Sequence, residues 1–200
     1  GAHYTCALTA YLLLTTALVP TVAIAGDALP SGGDFTADNG TISASGSRMD
    51  ISQTTESGII NWMISPPIDG NVTGNGSVFL INPPGVVVGN GGMVATGGSF
   101  VASTHDVTDA DFLNDGSLTL SGTSEAEVVN AGTIRSQIDI ALIARRVENS
   151  GRLEAPNGTA GLAAGYEVLL KDVAGADGLL SVALGGPDTE AVNSGTIAAA

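Results

Sequence analysis

A short motif that recurs along the chain limits what it can fold into. Asn-x-Gly-x followed by Leu or Ile occurs at Asn114 to Leu118, Asn130 to Ile134, Asn149 to Leu153 and Asn193 to Ile197. The asparagines lie 16, 19 and 44 residues apart, and the last interval reads as about two repeats. A period near twenty residues marks a solenoid, whose repeats cannot bury their apolar faces alone and must stack. In such a stack each Asn can occupy the same corner of successive coils and hydrogen-bond its neighbours. The Gly lets the backbone turn there without a Cβ clash.

The segments between these corners read as strands. Ser77-Val78-Phe79-Leu80-Ile81, Val86-Val87-Val88, the run Ile138 to Ile143 and Glu167-Val168-Leu169-Leu170 are short, apolar or alternating, and bounded by turn residues. No stretch beyond Gly26 carries a helical period. Asn-Gly or Asp-Gly pairs begin at Asn39, Asp69, Asn75, Asn90, Asp115, Asn157 and Asp177. They are expected to supply the positive φ that tight turns need. A hairpin-rich sandwich would show the same turn signals, but the repeat favours a parallel β-helix. With only 4% aromatic residues, its core must be thin and aliphatic.

Charge and cysteine content exclude several functions. Six Lys or Arg stand against twenty Asp or Glu, giving a net charge of −14. Such a chain repels a phosphate backbone, so nucleic acid is not an expected partner. The single cysteine, Cys6, allows neither a disulfide framework nor a cysteine-based metal site. It opens the uncharged apolar run Cys6 to Val19, which is followed by Pro20 and the small-x-small pattern Ala23-Ile24-Ala25. This is the layout of a secretory signal peptide over residues 1–25, clipped at its N-terminus because no basic residue precedes Arg48. The alternative, a transmembrane anchor, would need a longer run and positive flanks. The remaining 26–200 is expected to be one β-helical domain that continues beyond the sequence in hand.

A family resemblance rests on the stretch Gly76 to Gly89, GSVFLINPPGVVVG. It resembles the signature of the filamentous haemagglutinin family, the exoproteins of bacterial two-partner secretion: a hydrophobic strand ending in Asn-Pro-Asn-Gly, then β-branched residues and a Gly. Gly97 to Thr104 resembles that family's next strand, His105 to Leu113 its following acidic segment, and Gly58 to Trp62 its early strand. Two departures stand out: Pro84 occupies the place of the second Asn, and only about twenty residues separate Trp62 from Asn82.

The resemblance implies an all-β, right-handed parallel β-helix with an N-terminal cap. It implies a secretion domain of an adhesin-like exoprotein of a Gram-negative bacterium, reaching the cell surface or medium through the periplasm and outer membrane. An outer-membrane barrel transporter is the implied partner, and Asn82, Pro83, Pro84 and Gly85 the implied secretion motif. Contact with a host cell surface or carbohydrate is left to downstream regions.

The corner residues Asn114, Asn130, Asn149 and Asn193 are read as structural. No catalytic set, cofactor or metal site is expected. The densest polar cluster is His105 with Asp106, Asp109 and Asp111. Carboxylate-based polysaccharide cleavage or a Ca²⁺ site would use such residues, but a solvated turn with Asp capping backbone N–H groups explains them without a second cluster. Ser103 and His105, two apart, share a strand face, yet a catalytic triad needs a third member. A self-contained adhesin or ice-binding solenoid would carry a regular flat face of Thr, and the Thr spacing here is irregular.

Overall fold

The computed structural model describes residues 31–36, 40–45, 48–53, 57–64, 68–113, 117–172 and 179–200. The leader at 1–25, with Asn39, Asn114, Asp115 and Asp177, lies outside the described residues. The chain winds as a parallel β-helix with three faces. The first face holds β2 (Gly40–Ser45), β3 (Arg48–Gln53), β5 (Asn71–Gly74), β8 (Met93–Thr96), β12 (Thr133–Ser136), β15 (Arg152–Ala155) and β20 (Thr196–Ala199) in that order. The second holds β1 (Ser31–Thr36), β4 (Ser57–Ile64), β6 (Ser77–Ile81), β9 (Phe100–Ser103), β13 (Ile140–Ala144) and β16 (Ala160–Ala164). The third holds β7 (Val86–Val88), β11 (Glu127–Asn130), β14 (Arg146–Asn149) and β19 (Glu190–Asn193).

Every pairing along the three faces is parallel, except at the N-terminal end. There β1 runs antiparallel to β4 and β2 antiparallel to β3, forming a cap on the stack. The short interval after Trp62 is one ordinary coil, because Ser57 of β4 pairs directly with Ser77 of β6.

The long interval between Asn149 and Asn193 is not two repeats. Those residues face each other on adjacent strands, so the interval is one coil plus an excursion. The excursion carries β17 (Glu167–Asp172) and β18 (Leu179–Leu184), an antiparallel pair. An earlier excursion, between β9 and β11, carries the one-turn helix α1 (Asp109–Leu113) and β10 (Leu118–Ser121). Strand β10 pairs antiparallel with β17, so the two excursions build a separate three-stranded sheet outside the helix. Helix α1 is too short to show a period in sequence. The strand expected from Ile138 begins instead at Ile140, because Asp139 is held at a corner and Ile138 is 44% exposed.

Register turns the sequence pattern into columns. Val72, Val94, Ile134 and Leu153 stack on the first face. Val78, Phe100 and Ile140, with Leu80, Ala102 and Leu142, stack on the second, and Val86, Val128 and Val147 on the third. These residues form the buried interior of the helix. The other side of the second face is also covered. Ile81, Val101, Ala141, Ile143 and Ala163 pack beneath Leu120, Val168 and Leu170 of the outer sheet, forming a second core. Burial on both sides is why β9 and β13 are buried at every position and read as unbroken apolar runs.

Candidate functional site

The turn Asn82–Gly85 leaves the second face where β6 ends. Its backbone is closed by Gly85 N–H donating to Asn82 O at 2.9 Å, and Asn82 N–H donates to Ser103 O at 2.8 Å in the next coil. The Asn82 side chain is 1% exposed and points inward, its Nδ2 donating to Gly85 O at 2.6 Å. Pro83 and Pro84 form the exposed tip. Proline in place of the family's second Asn costs the turn no hydrogen bond, since the closing donor is Gly85. Gly85 adopts φ +119°, a conformation that only glycine takes without strain, and a Cβ there would stand 3.3 Å from Glu127 O. The first excursion returns against this tip: Ser124 Oγ donates to Pro83 O at 2.5 Å and accepts from Ala126 N–H at 3.1 Å.

Asn130, Asn149 and Asn193 are in register on the third face. Asn130 Nδ2 donates to Asn149 Oδ1 at 2.8 Å, and Asn149 Nδ2 donates to Asn193 Oδ1 at 2.7 Å. The ladder begins with Asn130, whose Oδ1 accepts Gly132 N–H at 3.2 Å, because the partner position on the preceding coil is Val88. The motif copy at Asn114 lies outside the described residues.

Gly132, Gly151 and Gly195, two positions after Asn130, Asn149 and Asn193, serve close approach and not positive φ. A Cβ on Gly151 would meet Gly132 O at 2.1 Å, and one on Gly195 would meet Gly151 O at 2.1 Å. Among the described residues, Gly85 is the one glycine with positive φ and Asp188 the one other residue, so the expectation is corrected for the pairs at Asp69, Asn75, Asn90 and Asn157. At these corners glycine is selected by the neighbouring coil's carbonyls.

Sequence reasoning missed a second polar ladder at the corner entering the second face. Ser77 Oγ accepts from Ser99 N–H at 3.0 Å, Ser99 Oγ from Asp139 N–H at 3.2 Å, and Asp139 Oδ1 from Thr159 N–H at 2.8 Å and Thr159 Oγ1 at 3.0 Å. Three residue types, Ser, Asp and Thr, share the position, so no repeat is visible. A third contact, Thr96 Oγ1 to Ser136 Oγ at 2.7 Å, closes the corner leaving the first face.

In the acidic segment, the described side chains of Asp106 and Asp111 bond to their local surroundings. Asp106 Oδ1 accepts the next residue's N–H at 2.8 Å. Thr108 caps α1, its Oγ1 accepting Asp111 N–H at 3.1 Å and donating to Asp111 Oδ2 at 2.7 Å. Ser103 and His105 do not meet through the ring. The serine hydroxyl donates to the histidine carbonyl at 2.7 Å, while His105 Nε2 donates to Gly165 O at 2.7 Å across the second core. Asp109 has only its backbone described. Elsewhere, Arg145 anchors both excursions to the helix. Its guanidinium stacks 4.4 Å from the Tyr166 ring and pairs with Glu125 at 3.5 Å. On the first face the Arg152 guanidinium hydrogen-bonds Glu154, with Arg135 on its other side, and together they hold that carboxyl below the usual carboxylate range despite some desolvation.

Residues 51–198 match the family described as the TPS secretion domain. A heme/hemopexin-binding protein of Haemophilus influenzae is 26% identical, over 78% of this chain and 21% of that protein. The crystal structure of the HMW1 secretion domain from Haemophilus influenzae superposes with a TM-score of 0.65 at 22% identity, covering 83% of this chain and 52% of that one. The chain therefore spans about a fifth of the first protein and about half of the second. The capped, parallel β-helix and the family match along most of its length lead to one assignment: the chain belongs to the TPS secretion domains, the domains of two-partner-secreted exoproteins that are exported through the outer membrane to the cell surface or medium.

Proposed function

We propose that this domain directs the export of a larger adhesin-like exoprotein, and that a partner outer-membrane barrel transporter recognises it at the Asn82–Gly85 turn. The observation that carries the reading is the division of labour within the turn. Asn82 is spent inside, holding Gly85 O, and Ser124 fixes the outer carbonyl of Pro83, so the two prolines stand exposed in one fixed geometry. A rigid apolar tip loses little conformational entropy on docking. Folding then begins from the antiparallel cap and adds coils one at a time. Binding to host surfaces or carbohydrate belongs to regions outside this domain, and no residue here is assigned to catalysis.

The test is secretion from cells that co-express an outer-membrane barrel transporter of two-partner secretion. The double substitution Pro83→Ala, Pro84→Ala is expected to cut the amount reaching the medium several-fold while the melting temperature of the purified domain changes little. Asn82→Ala is expected to lower both, because it removes the turn's internal bond. Undiminished export of the double-proline variant, with its fold intact, would remove the turn from recognition.

A further inference from the structure

We propose that Asn90–Gly91 is a site of spontaneous covalent modification, the preferred deamidation site among the Asn-Gly pairs of the described residues. The reaction is intramolecular. The Gly91 backbone nitrogen gives up its proton and attacks Asn90 Cγ, forming a C–N bond. Ammonia leaves with the transferred proton, and a five-membered imide remains. Water then opens the imide at one of two carbonyls, giving aspartate or, with an extra methylene in the main chain, isoaspartate. The step needs a free amide, a backbone able to rotate toward the side chain, and access for water. Glycine at the attacking position removes steric hindrance.

The pairs at Asn75, Asn90 and Asn157 share that sequence chemistry, and the structure separates them. Asn90 and Gly91 are both exposed at the tip of the corner between β7 and β8. The turn is closed by Gly92 N–H donating to Gly89 O at 2.9 Å, a bond that leaves the Gly91 amide out. By contrast, Gly158 N–H donates to Ala155 O at 3.2 Å, and its Cα lies so close to the preceding coil that a Cβ would meet Ile138 O at 2.4 Å. The pair Asn75–Gly76 lies under the next coil: Gly98 N–H donates to Gly76 O at 3.1 Å, and a Cβ on Gly97 would meet Asn75 O at 2.3 Å. Backbone rotation at either pair moves a residue that is itself packed against another coil, whereas Asn90 and Gly91 make no backbone bond to another coil, those bonds lying at the flanking Gly89 and Gly92.

The product has a structural consequence. The flanking glycines are clamped: a Cβ on Gly89 would strike Asp69 Oδ1, and Gly132 of the following coil packs on both Gly89 O and Gly92 O, its Cβ position lying 2.4 Å from each. A methylene inserted between two clamped residues pushes their carbonyls out of register. Isoaspartate at position 90 therefore loosens the corner on which the asparagine and glycine ladders start, and either product adds a negative charge to an acidic chain.

The experiment incubates the purified chain in mildly alkaline buffer and follows each Asn-Gly peptide by mass spectrometry, with a sample in denaturing urea alongside. In the folded protein, Asn90 is expected to convert several-fold faster than Asn75 and Asn157. In urea the rates are expected to converge, because only the fold distinguishes the pairs. Gly91→Ala, at an exposed position of ordinary φ, should slow conversion at Asn90 several-fold while leaving the circular dichroism unchanged. Conversion at Asn75 or Asn157 that matches Asn90 in the folded protein would overturn the proposal, as would the same order of rates in urea.

Discussion

At the residue scale, the ladder through Asn130, Asn149 and Asn193 makes unequal demands on its members. Asn149 both accepts from Asn130 and donates to Asn193, and it is fully buried. Replacing it with Ala leaves Asn130 Nδ2 with only its longer contacts to Gly132 O at 3.4 Å and Arg152 O at 3.3 Å, and leaves the Oδ1 of exposed Asn193 to solvent. A buried donor deprived of its near partner costs about 1–3 kcal/mol, so Asn149→Ala should lower unfolding free energy by roughly 1–3 kcal/mol in urea titration. Asn193→Ala removes one rung at a solvated position and should cost less than half as much. Gly151→Ala belongs with the severe changes, since its Cβ would need the space held by Gly132 O. Glu154 adds a pH dependence of known sign. Its folded pKa lies below the unfolded one because Arg152 and Arg135 favour the charged form. Its contribution is present above the ordinary carboxylate range and fades as pH falls through the depressed value. Between mild and strong acid, Glu154→Gln should therefore show a shallower loss of melting temperature than the parent chain.

At the element scale, the two excursions behave as insertions into a helix that is complete without them. Strands β13 and β14 are joined by Arg145 alone, whereas β16 reaches β19 only after the hairpin β17–β18. Because Arg146 pairs with Glu190 and Ala144 with Ala164, joining Gly165 directly to Glu190 would restore an ordinary coil. A chain lacking 166–189 is expected to keep its parallel helix but bare the second core around Val101, Ala141 and Ile143. Far-ultraviolet circular dichroism should retain the β signal while binding of a hydrophobic dye rises several-fold. Retained dye exclusion would show that the outer sheet does not cover that face. The same insertions explain what the sequence revealed and what it hid. Coils that follow one another without interruption show their period, as from Asn130 to Asn149, and strands β6 and β7 fall on the runs read as strands. An excursion about as long as a coil mimics a second repeat, so the interval to Asn193 was miscounted. The turn at Asn82 was legible from its residue types. That its amide faces inward, with Ser124 closing the outside, was not, because Ser124 lies 41 residues downstream and its position depends on where the first excursion returns.

At the scale of the whole molecule, each coil contacts mainly its neighbours, so stability is close to a sum of coil and interface terms, and charge acts on all of them at once. Six basic residues serve twenty acidic ones. Of the basic residues, Arg135 and Arg152 pair with Glu154, Arg145 with Glu125 and Arg146 with Glu127. Exposed pairs of this kind contribute about 0–1 kcal/mol each, while the excess of 14 negative charges repels over distances that span several coils. Salt weakens both effects, but repulsion involves far more charges than the ion pairs do. The screening length shrinks from about 30 Å at ~0.01 M to about 8 Å at ~0.15 M salt. The melting temperature should therefore rise over that range, although a chain held together by ion pairs would lose stability. Glu148 offers a local check. It is exposed on the third face between Val129 and Val192, and shares a shallow pocket with Glu127, Glu190 and Arg146, whose guanidinium pairs with Glu127. Glu148→Gln should raise the melting temperature at low salt and lose most of that gain at ~0.15 M, where the repulsion it relieves is already screened. An equal gain at both salt concentrations would assign the effect to packing against the flanking valines, and a loss at low salt would mean that the carboxylates of this face are held by a cation.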